Sequence, residues 1–103
     1  MSFTGEENHD ITLNEAAELT ANYRNSHPRA IQGEYFSKKA IKDILDQSNC
    51  VGIRIYFGED KAHVPHFVIT GVDSDENDLY TGLLAEKGWK CPPHCGGINP
   101  LNS

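Results

Sequence analysis

Hydrophobic residues in the first quarter of the chain follow the spacing of a helix. Thr12 stands three residues before Glu15, which is the pattern of a capping box. The helix that begins there carries one apolar stripe, formed by Leu13, Ala16, Ala17, Thr20 and Tyr23. We expect it to end within residues 25–28, because a residue that precedes proline avoids helical geometry.

A second amphipathic helix is predicted to begin after Ser37, which has the side chain of an N-cap residue. Phe36 and Ile41 flank this cap as a hydrophobic staple. The apolar stripe of the helix is formed by Ala40, Ile41, Ile44 and Leu45. We expect the helix to end near Ser48 or Asn49.

The period of the pattern then changes from 3.6 to 2. Residues 51–57 alternate, and residues 66–72 and 79–85 are predicted to be returning strands, with turns at residues 58–61 and 73–78. The predicted fold is therefore α+β, with two N-terminal helices on one face of a three-stranded antiparallel meander. Phe57 pairs with either His66 or Phe67. The two registers assign the side chains of the second strand to opposite faces of the sheet.

Length and composition favour one domain. A chain of 103 residues and 11.4 kDa has room for one core. Residues 1–10 are polar and predict a flexible lead-in. Residues 11–103 then form the domain, including an irregular tail over residues 88–103 that is rich in glycine and proline.

Charge and hydropathy exclude several partners. Fifteen acidic residues against nine basic ones give a net charge of -6, which argues against nucleic acid and against anionic membranes. No apolar stretch approaches the roughly 20 residues of a membrane helix, and the N-terminus lacks a secretory pattern. We therefore expect a cytoplasmic protein.

The tail contains two cysteines, Cys91 and Cys95, separated by Pro-Pro-His. One interpretation is a structural zinc ion, with Cys50 and His94 as the further ligands. Another is a reactive thiol whose pKa is lowered by His94 or Lys90. A third is that both cysteines are small buried hydrophobes in a proline-stiffened tail.

A disulfide between the two tail cysteines is the fourth alternative. Extended proline geometry would separate their Cα atoms by up to about 12 Å, whereas a disulfide needs roughly 4.4–6.8 Å. A cis proline or a tight turn at Pro93-His94 would bring them together. Cysteines in a reducing cytosol are expected to be free or metal-bound, so the disulfide also requires an oxidising site.

The acidic segment Asp73-x-Asp75-x-Asn77 matches the first ligand positions of a calcium loop. The match ends at Asp78, where glycine is needed, and at Leu84, where a glutamate is needed. A solvated hairpin turn is the favoured interpretation.

Arg54, Tyr56 and Trp89 form the candidate interaction patch. Arg54 and Tyr56 alternate onto one face of the first strand, and residues of these types are enriched at interface hot spots. The sequence contains no nucleophile elbow, phosphate loop or dinucleotide fingerprint. No catalytic residues are therefore assigned.

Four stretches together carry a resemblance. They are residues 21–24, residues 52–57, residues 71–73 and the Cys-Pro-Pro-His-Cys segment with Asn99-Pro100-Leu101-Asn102. In this combination the chain resembles a group of short hypothetical bacterial proteins of about the same length. The resemblance covers nearly the whole chain and implies a self-contained bacterial domain, but no activity, substrate or cofactor.

These observations favour a small acidic module, non-enzymatic, that binds another protein or itself. The alternative is a thiol- or zinc-dependent protein that uses Cys91 and Cys95.

Overall fold

The computed structural model describes residues 2–103 and divides the chain into two compact units. The sheet unit comprises the residues up to Glu7 together with Phe36–Gly88, and the tail unit comprises Asn8–Tyr35 and Trp89–Ser103. In chain order the elements are α1 (Leu13–Ser26), β1 (Gly33–Tyr35), α2 (Lys38–Leu45), β2 (Gly52–Glu59), β3 (Pro65–Val72), β4 (Leu84–Ala85) and β5 (Trp89–Cys91). The α+β class is confirmed.

Both helices begin where the sequence predicts. The Oγ1 atom of Thr12 accepts a hydrogen bond from the backbone N–H of Glu15 at 3.1 Å, and the Glu15 carboxylate accepts one from the Thr12 N–H at 3.4 Å. This is the predicted capping box. The side chain of Ser37 caps α2 by accepting from the N–H of Ala40 at 3.0 Å.

The end of α2 and the placement of α1 differ from the prediction. The helix α2 ends at Leu45, because the following backbone tightens into turns and Asn49 adopts a φ of 66°. The predicted arrangement of two helices on one sheet face is matched only in part. After α1 the chain forms β1, which pairs with β5, so α1 belongs to the tail unit, whereas α2 contacts β2 and β3 in the sheet unit.

The sheet unit contains an antiparallel sheet in the order β2-β3-β4. Phe57 pairs with Phe67, which is one of the two predicted registers. The third strand is shorter than predicted: β4 spans Leu84–Ala85, and the segment before it contributes only an isolated bridge between Val72 and Asp78. In this strand order β3 is central and β2 lies at an edge.

The tail is more regular than the sequence indicated. Trp89–Cys91 forms β5 and pairs antiparallel with β1, which was not predicted. Each strand is only three residues long, which is too short for a readable alternation, and the paired residues lie 54 to 58 positions apart in the chain.

The best-buried apolar residues are Ile44, Ile69 and Val72, all in the sheet unit. The segment that follows α2 lies very close to β3 at Gly71. A Cβ atom at this position would stand 2.9 Å from the Cys50 sulfur and 3.0 Å from the Gln47 amide nitrogen. A larger residue at this position would therefore displace the Cys50 and Gln47 side chains.

We expect Gly71→Ala to lower the free energy of unfolding by about 1–3 kcal/mol, because the added methyl group forces the Cys50 and Gln47 side chains to move. Urea denaturation followed by circular dichroism measures this. Gly52→Ala is the matched control in the neighbouring strand, since a Cβ atom there meets no atom within 4 Å. Equal destabilisation by both substitutions would contradict the explanation.

Candidate functional site

The two faces of β2 differ in chemistry. Alternation and the register with β3 place Arg54 and Tyr56 on one face, together with Val68 and Thr70. The opposite face carries the apolar stripe, defined as Ile53, Ile55 and Phe57. Each face is therefore a separate candidate surface.

On the polar face, Asp78 binds two of the three predicted patch residues, Arg54 and Tyr56. The guanidinium of Arg54 donates to Asp78 Oδ1 at 2.5 Å and reaches the Glu76 carbonyl at 3.4 Å. The Tyr56 hydroxyl donates to the other carboxylate oxygen, Oδ2. Asp78 thus orients Arg54 and Tyr56 on the sheet, and this partner was not identified from the sequence because it lies beyond β3 in the chain.

These contacts shift the pKa values of the cluster. The Tyr56 hydroxyl, and then the Arg54 guanidinium, lower the pKa of Asp78. The Asp78 carboxylate raises the pKa of Tyr56, because the hydroxyl can no longer donate its hydrogen bond to Asp78 once it ionises. The carboxylate also raises the pKa of Arg54. The cluster is therefore intact between the acid titration of Asp78 and the alkaline titration of Tyr56.

The apolar stripe is open to solvent. The exposed fractions are 38% for Ile53, 48% for Ile55 and 88% for Phe57, and the Phe57 ring packs on Phe67 with centroids 5.7 Å apart. Single exposed apolar residues are ordinary, whereas a continuous row on one strand indicates a contact surface.

The stripe adjoins an open sheet edge. The Gly71 carbonyl accepts a hydrogen bond from the Leu79 N–H, and the Asp73 N–H donates one to the Asn77 carbonyl. Both bonds lie on the side of β3 that faces away from β2. Because these groups alternate along a strand, the even-numbered residues of β2 and β3 bond to each other. The N–H and C=O groups of Ile53, Ile55 and Phe57 consequently face outward, and no strand in residues 2–103 pairs with them.

The predicted hairpin turn at residues 73–78 is confirmed. The Asp73 carboxylate accepts hydrogen bonds from the N–H groups of Asp75 at 2.9 Å and Asn77 at 3.0 Å. Glu76 has a φ of 70°. Asp73 and Asp78 are thus both engaged by groups of this chain.

In the tail unit, Cys91 and Cys95 form a disulfide with a Cα–Cα distance of 4.7 Å. The extended geometry expected for this segment is wrong: the Cys91-Pro92 and Pro92-Pro93 bonds are cis, and the His94 N–H bonds to the Lys90 carbonyl at 2.8 Å. Of the four alternatives for the tail cysteines, the structure has the disulfide.

The residues of the predicted zinc site are divided between the two units, with Cys91, His94 and Cys95 in the tail unit. Cys50 belongs to the sheet unit, where its thiol donates to the Gly52 carbonyl at 3.2 Å. In the described part of the chain, no three His, Cys, Asp or Glu side chains are grouped so as to hold a metal ion. Cys91 and Cys95 cannot supply thiolate ligands while they are bonded to each other.

Trp89, the third predicted patch residue, lies in the tail unit and not in the unit that holds Arg54 and Tyr56. It pairs with Tyr35 across β1 and β5, with ring centroids 5.6 Å apart, and His94 lies 5.3 Å from it. On the other face of these strands Lys90 forms a 2.8 Å ion pair with Glu34, whose side chain is 2% exposed.

A cluster of histidine and carboxylates at the far end of the β2–β3 hairpin was missed. His66 Nε2 lies 2.9 Å from Asp60, and its Nδ1 lies 2.7 Å from Glu86. The hydrogen bond to His66 lowers the pKa of Asp60. The sequence offered no signal, because Glu86 is brought to His66 only by the return of the chain through β4.

Comparison with protein-family models, with curated proteins and with solved structures gave no match to this chain. Among the described residues, no helix combines the length and the apolar character needed to cross a membrane. The functional interpretation therefore depends on the surfaces described above.

We expect Asp78→Asn to lower the melting temperature by a few degrees at pH 7, because Arg54 and Tyr56 lose their shared carboxylate. The folded pKa of Asp78 lies below its unfolded value, so its stabilisation is present above the ordinary aspartate pKa of about 3.9 and is lost as the pH falls below it. The variant should therefore lose less stability than the parent between pH 5 and pH 3.

Thermal melts across this pH range measure the effect. Asp75→Asn, an exposed aspartate in the same turn, is the control and should change neither the melting temperature at pH 7 nor its acid dependence. If the two variants behave alike, Asp78 does not organise this face.

Proposed function

We propose that this protein is a non-enzymatic protein-interaction module that docks partners on the free edge of β2 and the adjoining apolar stripe. The observation that carries the proposal is an edge strand of eight residues with a row of exposed apolar side chains. Such an edge accepts an extended segment of another chain as an added strand.

The two components of this surface have different roles in binding. The outward N–H and C=O groups of Ile53, Ile55 and Phe57 supply backbone hydrogen bonds that fix the direction of the added strand. The side chains of the same residues supply apolar contact area and discriminate between partner sequences. Backbone pairing alone is weakly selective, so the stripe decides which segments bind.

The β2 strand lacks most of the usual protection against such pairing. Natural edge strands are guarded by proline, by lysine or by charges that point into the sheet. Residues 52–59 contain no proline and no lysine. The charged guanidinium of Arg54 is engaged by Asp78 of the same chain, so it is not left to repel an incoming strand.

The tail disulfide favours a second candidate function, thiol–disulfide exchange. Cys95 is exposed and Cys91 is half-buried, so an external thiolate attacks Cys95 and releases Cys91 as a thiolate. A second external thiolate then completes the exchange, which leaves two cysteine thiols and one external disulfide. The cytoplasmic location stays a prediction. A persistent disulfide is instead typical of oxidising compartments.

The docking surface is tested by photo-crosslinking in cells that make this protein. A benzophenone amino acid replaces Ile55 in the stripe, or Leu19 on α1 as the control, because Leu19 is also exposed, at 63%. We expect discrete protein adducts from position 55 and none of the same mass from position 19. Equal labelling at both positions, or no adduct at position 55, would sink the proposal.

The second candidate is tested with glutathione. The full chain is equilibrated with mixtures of reduced and oxidised glutathione, and its free thiols are alkylated and counted by mass spectrometry. Exchange predicts that Cys91 and Cys95 gain two thiols together while the chain stays folded by circular dichroism. A Cys50→Ser background removes the third thiol. If reduction occurs only after unfolding, the disulfide is structural.

A further inference from the structure

We propose that the partner of β2 is a second copy of this chain, paired antiparallel through β2 in a register centred on Ile55. This inference rests on the proposed docking surface and names its occupant. It follows from three properties of the strand: which backbone groups face outward, which side chains would meet, and how charge is distributed along it.

The backbone permits this pairing. A two-fold axis at Ile55 places Ile55 opposite its own copy, and Ile53 opposite the second copy's Phe57. The N–H and C=O groups of all three residues face the open edge, so they form the hydrogen-bonded pairs of the new ladder. The two sheets then continue into one sheet of six strands.

The side chains favour the register centred on Ile55 over its neighbours. It places apolar residues opposite apolar residues along the whole stripe, and Gly52 opposite Gly58. On the other face it sets Arg54 opposite Tyr56 of the second copy, where a guanidinium contacts an aromatic ring. A register centred on Arg54 would instead oppose two guanidinium groups, and one centred on Tyr56 would oppose Ile53 and Glu59.

The small area of the contact predicts weak association. An aromatic side chain buries on the order of 150–250 Å², so the three stripe residues fall short of the about 800 Å² per partner of a standard interface. We therefore expect a reversible dimer with a dissociation constant on the order of tens of micromolar.

Two measurements test the inference. Sedimentation velocity of the full chain, over concentrations from about tenfold below to about tenfold above that constant, should show a monomer–dimer equilibrium. Ile55→Lys should shift it to monomer, Ile55→Thr should weaken it while keeping strand propensity, and Leu19→Lys should leave it unchanged. A chain that stays monomeric throughout overturns the proposal.

Cysteine trapping then tests the register in a Cys50→Ser background. In the Ile55-centred register, the Cα atoms of two Ile55→Cys copies lie about 5.5 Å apart, within disulfide range. Two Ile53→Cys copies are displaced by about 13 Å along the strand. We expect at least tenfold faster dimer formation at position 55, whereas equal rates at both positions indicate another register and overturn the assignment.

These results separate the inference from the function on which it rests. A monomeric chain whose position-55 crosslink joins a different protein overturns the self-pairing and leaves the docking surface standing. A chain without any position-55 adduct, and without a dimer, overturns both.

Discussion

The pairing register between β2 and β3 determines which side chains lie on each face of the sheet. With Phe57 opposite Phe67, the apolar residues of β2 share a face with Ile69 and Gly71, over which the segment after α2 crosses. A shift by one residue would bring Arg54 and Tyr56 onto that face and would separate them from Asp78. The close approach at Gly71 and the Asp78 cluster are satisfied together only in the observed register.

In the same register, the edge strand β2 keeps exposed apolar side chains. The segment after α2 covers the central strand, and Ile44, Ile69 and Val72 are buried, but the edge strand on the same sheet stays uncovered. A small domain has few apolar residues to distribute. Ile53, Ile55 and Phe57 are only partly buried on this edge, so they stabilise the isolated chain less than the core residues do.

Much of the local structure could be predicted, because it is determined by neighbouring residues. Thr12 with Glu15 and Ser37 with Ala40 lie within one helical turn, and the alternation in residues 51–57 identifies a strand. The pairs that were missed join distant segments. Examples are the pairing of β1 with β5, and the reach of Asp78 and Glu86 to residues of the β2–β3 hairpin. The sequence also left undecided whether Cys91 and Cys95 form a disulfide. Residues before proline favour extended geometry, and the sequence does not specify whether a given X-Pro bond is cis or trans.

The role of Arg54 changes once its partner is known. A charge on an edge strand ordinarily discourages pairing, and from the sequence alone Arg54 belongs to an exposed recognition patch. Asp78 neutralises this charge within the chain and uses one oxygen for Arg54 and the other for Tyr56. What then opposes association is the net charge of -6 on each copy, which acts over long range and is screened by salt. The charge at the edge is thus neutralised locally by an internal ion pair, whereas the effect of the net charge depends on ionic strength.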